Sequence, residues 1–438
     1  FRSIGLLDFD LAEFQTTPLE WFDPEIPRWT SLSFHDHPPL VFWIEHVAMG
    51  LFGETRFGFR IGAALFGIAT IWLVYKIGAR LYGNRAGLIA GALYAVTVNA
   101  VHYARVGMQE SFVIFFILLT IYLTLQGKHA GSRYVWAGVV FGLALLTKYT
   151  AIFLVPALAL HVFFEDRRAF KQKYLWMGVM SALLVFTPVI LYNLFLYRAR
   201  GHFDFQLSYL FGQNPSEWQV APGKEIGTLG ERIGNFLPRL LSSSSWLLLA
   251  AVASAALAFL LKFAKKPLAA SQKHRALLLF FIFGFLLILV VGPAYRFLAL
   301  LTPFFVIAVA AFFNALYEKF RGRGALVSML LSCILVFEVF YTVNNEIVAY
   351  ARGPSIWLAS PLKHENERWG YSKLDDYLSR ELSGRYPGIV FAKKYAFLED
   401  VQNESIAEAK RHREAPYRAL FVYDRDIFNM AQLWVFDR

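Results

Sequence analysis

The sequence predicts a mainly α protein, a polytopic bundle of transmembrane helices with a small extracytoplasmic α/β tail. Three observations carry that prediction. Of 438 residues, 57% are hydrophobic and only 17% charged, with a mean hydropathy of +0.44, whereas a soluble domain is close to half apolar and about a quarter charged. Apolar runs of roughly 18 to 25 residues recur, each long enough to cross about 30 Å of hydrocarbon. Short connections carrying Lys and Arg fall at every second junction between the runs, the positive-inside pattern.

Taken in order, residues 1–56 read as a first extracytoplasmic loop with interfacial helices. Within it HDHPPL, residues 35 to 40, sets a polar cluster directly before an apolar stretch. Pro38 and Pro39 fix a turn there, and VFWIEHV reads as an interfacial or re-entrant helix. The bundle follows over 57–345, with spans near 57–82, 86–103, 110–126, 134–147, 149–164, 174–197, 245–262, 276–292, 297–317 and 324–343. The connection 198–244, containing GQNPSEW and APGKEIGTLGERIG, is too polar to span and too long for a turn, the profile of a functional lid. In the tail, 346–438, GIVFAKKYAFL and YRALFVYDRD read as strands and KLDDYLSREL as an amphipathic helix. Phe1 stands where a methionine is expected and FRSIGLLDFD lacks the regions of a signal peptide, so an earlier span is expected before it and the tail is expected to continue.

Net charge is +11, but the short connections KIGARLYGNR, GKHAGSR, EDRRAFKQK, KFAKKPLAASQKHR and YEKFRGR each carry at least two Lys or Arg, all on one side. Topology and contact with anionic lipid head groups account for them, and nucleic acid is not implied. The single cysteine, Cys333, lies in an apolar run, which excludes a disulfide framework within the chain.

On the opposite side, ionisable groups stand at apolar edges: Asp8, Asp10 and Glu13 in DFDLAEF, Asp36 and His37 in HDHPPL, Arg105 and Glu110 in ARVGMQE, Lys148 in LLTKYT and Arg296 in PAYRFL. Charges at membrane depth are costly unless they pair or meet a polar ligand, so their convergence on one face marks a candidate site. Individually each has a plainer reading. Arg105, Lys148 and Arg296 fit snorkelling side chains, Glu110 fits a favoured helix N-terminus, and Asp8 and Asp10 fit solvated loop acids. His35 and His37 are too weak a pattern for a metal site, and no metal or other cofactor is expected. Trp21, Trp29, Phe34, Trp43 and Trp218 fit an interfacial aromatic belt or the lining of a sugar site.

DFDLAEF, HPPLVFW, FGETRFGFRIGAALFG, ARLYG, AR followed by Glu110, GLALLTK and YRFLALLTP, in that order, resemble the GT-C glycosyltransferases of the protein O-mannosyltransferase and lipid A aminoarabinose transferase superfamily. The resemblance spans residues 4 to 320. It implies a multi-pass enzyme of the plasma (inner) membrane with its active site on the extracytoplasmic face. Such an enzyme takes a hexose or pentose from a polyprenyl-phosphate carrier and transfers it to a hydroxyl of a protein, lipid or glycan. Asp10 matches the family's first-loop acid, the base or acceptor-positioning carboxylate. Leu11 stands where many relatives have a second acid, a role left to Asp8 or Glu13. His37, with Asp36 beside it, matches the position near the carrier phosphate, Glu110 a carboxylate near sugar or acceptor, and Lys148, Arg296 and Arg105 the phosphate-binding cations. A single displacement aided by one base inverts the anomeric centre. The alternative reading is a transporter or flippase of a lipid-linked sugar, which uses the same cations but needs no poised acid.

Overall fold

Helices built almost wholly from Leu, Ile, Val, Phe and Ala need each other, or lipid, to cover their sides, and here they pack around one that is apolar on every face. A computed structural model describes residues 37–53, 55–125, 131–213, 227–265, 272–348, 351–355 and 357–362, with isolated positions 377, 380, 407, 410 and 411. Among the described residues the α-helices are α1 (Leu40–Phe52), α2 (Arg56–Tyr82), α3 (Asn84–Val96), α4 (Val98–Val106), α5 (Gln109–Thr124), α6 (Ser132–Thr147), α7 (Leu154–Glu165), α8 (Lys173–Arg200), α9 (Phe205–Leu210), α10 (Leu229–Ser243), α11 (Trp246–Lys265), α12 (Gln272–Val291), α13 (Tyr295–Leu298), α14 (Thr302–Lys319) and α15 (Gly324–Thr342). The expected strands of the tail lie outside the described residues, and of the helix expected over KLDDYLSREL only Tyr377 and Arg380 are described, both helical.

Each predicted span has its helix, with two changes of detail. The span expected over 86–103 is broken at Thr97 into α3 and α4, bent by 56°. Thr97 is extended, and its Oγ1 donates to Leu93 O at 2.7 Å, capping the broken end. The connection 198–244 is largely helical: α8 runs on to Arg200, α9 and α10 follow, and only 214–226 falls outside the described residues. Thr228 and Glu231 cap each other at the start of α10, a reciprocal capping box.

Among the described residues five helices are long and apolar enough to cross a membrane, six if α3 and α4 count as one bent span, and α1, α5, α6, α7 and α11 are shorter apolar helices. The chain is a multi-span membrane protein. In the α13–α14 segment 78% of the apolar window is buried, against 28% in α8, α12 and α15. The outer helices instead turn Met180, Leu184, Leu260 and Val336 outward, the surface expected to face lipid. Without a hydrophobic drive between helices in lipid, close backbone approach matters. At the α6–α8 crossing, a Cβ on Gly138 would lie 1.8 Å from Gly178 O, and one on Gly178 would lie 2.3 Å from Tyr134 O. Gly178→Leu is therefore expected to force α6 and α8 apart and to lose about 3 kcal/mol, read as a lowered thermal midpoint of the detergent-solubilised protein.

The basic junctions meet at one end of the bundle. Tyr82 Oη and His274 Nδ1 are 3.0 Å apart, and Lys262 Nζ lies 3.1 Å from His274 Nε2. Arg275 Nη2 pairs with Glu165 at 2.7 Å, and Arg85 lies over the Tyr317 ring. The alternation of basic connections predicted this common end, and the helix order delivers it.

Candidate functional site

The opposite end of the bundle holds the predicted charges that can be described, each set at a break in a helix. After α6, Lys148 turns extended (φ −163°, ψ 133°) and its backbone N–H still closes on Ala144 O at 2.9 Å, so the side chain leaves the helix where the chain changes direction. A 3₁₀ turn, Tyr149–Phe153, then leads into α7. Gly107 takes the left-handed conformation (φ 77°) between α4 and α5, and Glu110 falls in the first turn of α5, where a carboxylate is favoured by the unpaired N–H groups. Gly292 (φ 86°) and Pro293 halt α12, since proline cannot supply the next helical N–H. The single turn α13 that follows carries Arg296.

These three breaks bring Glu110, Lys148 and Arg296 together. Lys148 Nζ donates to Glu110 Oε1, and the two residues are 4% and 2% exposed. The Lys148 ammonium also lies 4.9 Å from the centroid of the Phe297 ring, and the Arg296 guanidinium lies 5.1 Å from the same centroid. Arg296 stands close enough to Lys148 for the two positive charges to repel. Among the described residues it makes no hydrogen bond or ion pair, and it is partly exposed. One buried carboxylate thus neutralises one of two neighbouring cations, and an excess of positive charge is left over an aromatic floor. Such a constellation suits a phosphate group.

Arg105 is placed differently from the phosphate cation expected of it. Its guanidinium Nη1 donates to the backbone O of Glu346 and lies 3.5 Å from Glu346 Oε2, while His102 Nδ1 is 2.9 Å from Glu346 Oε1. The reason is the bend at Thr97, which turns α4 toward the end of α15. His37 is half-buried just ahead of α1, the helix expected over VFWIEHV, which packs through Val41 against Ala63 and Phe112. Trp43 packs on Tyr192 and Leu196 of α8. Asp8, Asp10, Glu13 and Asp36 lie outside the described residues, as do His35, Trp21, Trp29, Phe34 and Trp218.

Two further groups escaped sequence reasoning. Asp204 is fully buried, accepts from Tyr149 Oη at 2.6 Å and Asn193 Nδ2 at 2.8 Å, and caps α9 through Leu207 N at 2.9 Å. It thereby anchors the residue next to Lys148. Glu346 is the second. The polar run VNNEI at the close of an apolar stretch was the available signal for Glu346, and HFDF in a connection offered none for Asp204. No group of three or more His, Cys, Asp or Glu with metal-binding spacing occurs among the described residues. A cavity of about 300 Å³ lined by Arg80, Thr124, Tyr134, His161, Glu165 and Lys273 lies at the basic end. Fourteen residues of α5 separate its Thr124 from Glu110, about 21 Å of helix rise, so it is not part of this site.

Residues 36–192 match the family model described as dolichyl-phosphate-mannose-protein mannosyltransferase. That segment contains His37, Arg105, Glu110 and Lys148 but not Arg296 or Glu346. The chain is 31% identical over 142 residues to YycA of Bacillus subtilis strain 168, named as a mannosyltransferase, covering 32% of this chain and 21% of that protein. It is 25% identical over 174 residues to an undecaprenyl phosphate-α-4-amino-4-deoxy-L-arabinose arabinosyl transferase of Pseudomonas fluorescens, covering 38% and 31%. The chain thus spans under a third of the length of these relatives. Among solved structures, ArnT from Cupriavidus metallidurans bound to undecaprenyl phosphate aligns with a TM-score of 0.52 at 16% identity, over 80% of this chain and 61% of that one. The Archaeoglobus fulgidus oligosaccharyltransferase in complex with Zn and sulfate aligns with a TM-score of 0.54 at 14% identity, over 92% and 53%. These two likenesses are of fold. Residues 36–192 are thus similar to a family of polyprenyl-phosphate-sugar mannosyltransferases, and the helix order of the chain has the fold of the GT-C membrane glycosyltransferases.

Proposed function

We propose that the chain transfers a sugar, hexose or pentose, from a polyprenyl-phosphate carrier to a hydroxyl of a protein, lipid or glycan, on the extracytoplasmic face of the plasma (inner) membrane. The observation that carries this reading is the excess positive charge of Lys148 and Arg296 around Phe297, set at the bundle end away from the basic junctions. The names of the relatives, which act on or bind polyprenyl-phosphate compounds, support the same donor class.

In the reaction so proposed, the acceptor oxygen attacks the anomeric carbon as the bond from that carbon to the phosphate oxygen breaks. The electron pair of the broken bond leaves with the polyprenyl phosphate, and the hydroxyl proton passes to Asp10, with Asp8 or Glu13 beside it. One displacement inverts the anomeric configuration. Lys148 and Arg296, joined by His37 just ahead of α1, hold the phosphate; in a site poor in water such fixed charges stabilise the departing oxygens more than they would in bulk. Glu110 sits beside the sugar and keeps Lys148 charged and in place.

The test is to incubate the purified full-length protein with a panel of polyprenyl-phosphate sugars and candidate acceptors and to follow released polyprenyl phosphate. Wild type is expected to release it only when an acceptor is present, and Asp10→Asn to lower kcat by about a hundredfold or more with carrier binding retained. Movement of intact donor across a vesicle bilayer without release, unchanged in Asp10→Asn, would overturn the reading in favour of a transporter.

A further inference from the structure

The two arms of the site, the α4–α5 corner with Glu110 and the α13 turn with Arg296, are far apart in sequence, and a third element touches both. Beyond α15 the chain forms one turn of π-helix, Val343–Ile347, closed by Val348 N donating to Val343 O at 3.0 Å. Such single turns are rare and occur frequently at functional sites. The residue before it, Thr342, donates from Oγ1 to Val96 O at 2.6 Å, satisfying a carbonyl freed by the break between α3 and α4. One turn on, Glu346 receives His102 and Arg105, the far end of α4. The π-helix therefore holds α4 at both ends.

The same turn reaches the other arm. Asn345 Oδ1 accepts from Ser360 N at 2.6 Å, Ser360 Oγ donates to Ser242 O at 2.7 Å, and Ser242 Oγ lies at hydrogen-bond distance, 3.2 Å, from Tyr295 Oη. Tyr295 precedes Arg296. Asn344 ties the intervening loop, donating to Arg352 O at 2.9 Å and Leu358 O at 2.7 Å and accepting from Arg352 N at 3.0 Å. Followed round, these contacts run from Arg296 through Tyr295, Ser242, Ser360, Asn345 and Glu346 to Arg105, across the Gly107 turn to Glu110, then to Lys148 and the Phe297 ring beside Arg296. The ring is closed.

We propose that the π-helical turn Val343–Ile347, with Thr342 before it and Ser360 bound to it, is a clamp that sets the spacing between the two arms, with Glu346 as its positioning residue. Glu346 touches no reacting group in this assignment. It acts by fixing the α4–α5 corner, and so the depth at which Glu110 presents Lys148 to a phosphate shared with Arg296. Displacements of about 1 Å at a reacting centre lower rates by up to about a hundredfold, so a clamp of this kind governs kcat rather than donor affinity. A hydrogen-bonded network outside the matched segment 36–192 thereby completes a site whose other groups mostly lie within it.

Two measurements on the full-length protein test this, and only the second rests on the transfer reaction proposed above. In hydrogen exchange, Glu346→Ala is expected to speed amide exchange at least about tenfold both in residues 98–111 and in 294–301, leaving the α6–α8 crossing unchanged. Ser360→Ala is expected to loosen 242–245 and 294–301. Loosening confined to 343–362, or general loosening that includes α6 and α8, overturns the clamp. In the transfer assay, Glu346→Ala is expected to lower kcat about ten- to a hundredfold with KM for donor changed less than about threefold, and Glu346→Gln, which keeps an acceptor for His102, to recover part of it. A fall in kcat matched by loss of folded protein, with no recovery in Glu346→Gln, reduces Glu346 to a structural residue. If wild type turns over no donor, the reaction fails while the exchange result still decides the clamp.

Discussion

Lys148→Met is expected to remove transfer and to destabilise the protein together, and a second substitution separates the two losses. Methionine matches the lysine stem in volume but leaves the Glu110 carboxylate buried without its partner. Breaking one side of a buried ion pair costs about 3–5 kcal/mol, so a marked fall in the thermal midpoint should accompany the loss of activity. Pairing Lys148→Met with Glu110→Gln removes both charges and keeps the shape. Replacement of both partners of a buried pair is often neutral, and the midpoint should return to within about 1 kcal/mol of wild type. Transfer should not return, because the cation for the phosphate is still missing. Recovery of activity in the double variant would show the pair to be structural and would sink Lys148 as a phosphate ligand.

Arg296→Ala is expected to give the reverse profile, near-normal stability with transfer reduced about a hundred- to a thousandfold, the range seen when one preorganised donor to a developing anion is lost. The contrast with Lys148 follows from their surroundings. Arg296 is partly exposed on a single turn and pairs with no described carboxylate, so nothing is left uncompensated when it goes. Arg296→Lys keeps the charge but not the planar fork, and an intermediate rate is expected because a point charge cannot bind phosphate bidentately. Activity within about threefold of wild type in Arg296→Ala, in an assay limited by chemistry, would remove this residue from the mechanism.

Much of the architecture was readable beforehand because in lipid a helix must satisfy its own backbone, and length and apolarity then suffice to locate it. The exceptions are informative. The break at Thr97 carries no proline or glycine signal. Its freed carbonyl, Val96 O, is met by a donor from Thr342, 245 positions beyond Thr97. Helices α9 and α10 were concealed in a polar connection because neither is apolar enough to span.

Glu110, Lys148 and Arg296 were legible as candidates because each is an ionisable residue at an apolar edge on the side opposite the basic junctions, a position that hydrocarbon penalises unless the charge is met. Which charge meets which was not legible. Glu346 lies 244 residues from His102, and Asp204 lies 55 from Tyr149, and no local periodicity reports pairings at such distances. Composition and the alternation of basic connections by themselves determined that this chain threads a membrane many times and which bundle end collects its isolated charges, since both follow from transfer of side chains between water and hydrocarbon. Only the tertiary structure decided that Lys148 shares Phe297 with Arg296 while Arg105 turns to Glu346, because those choices depend on where helices bend and cross.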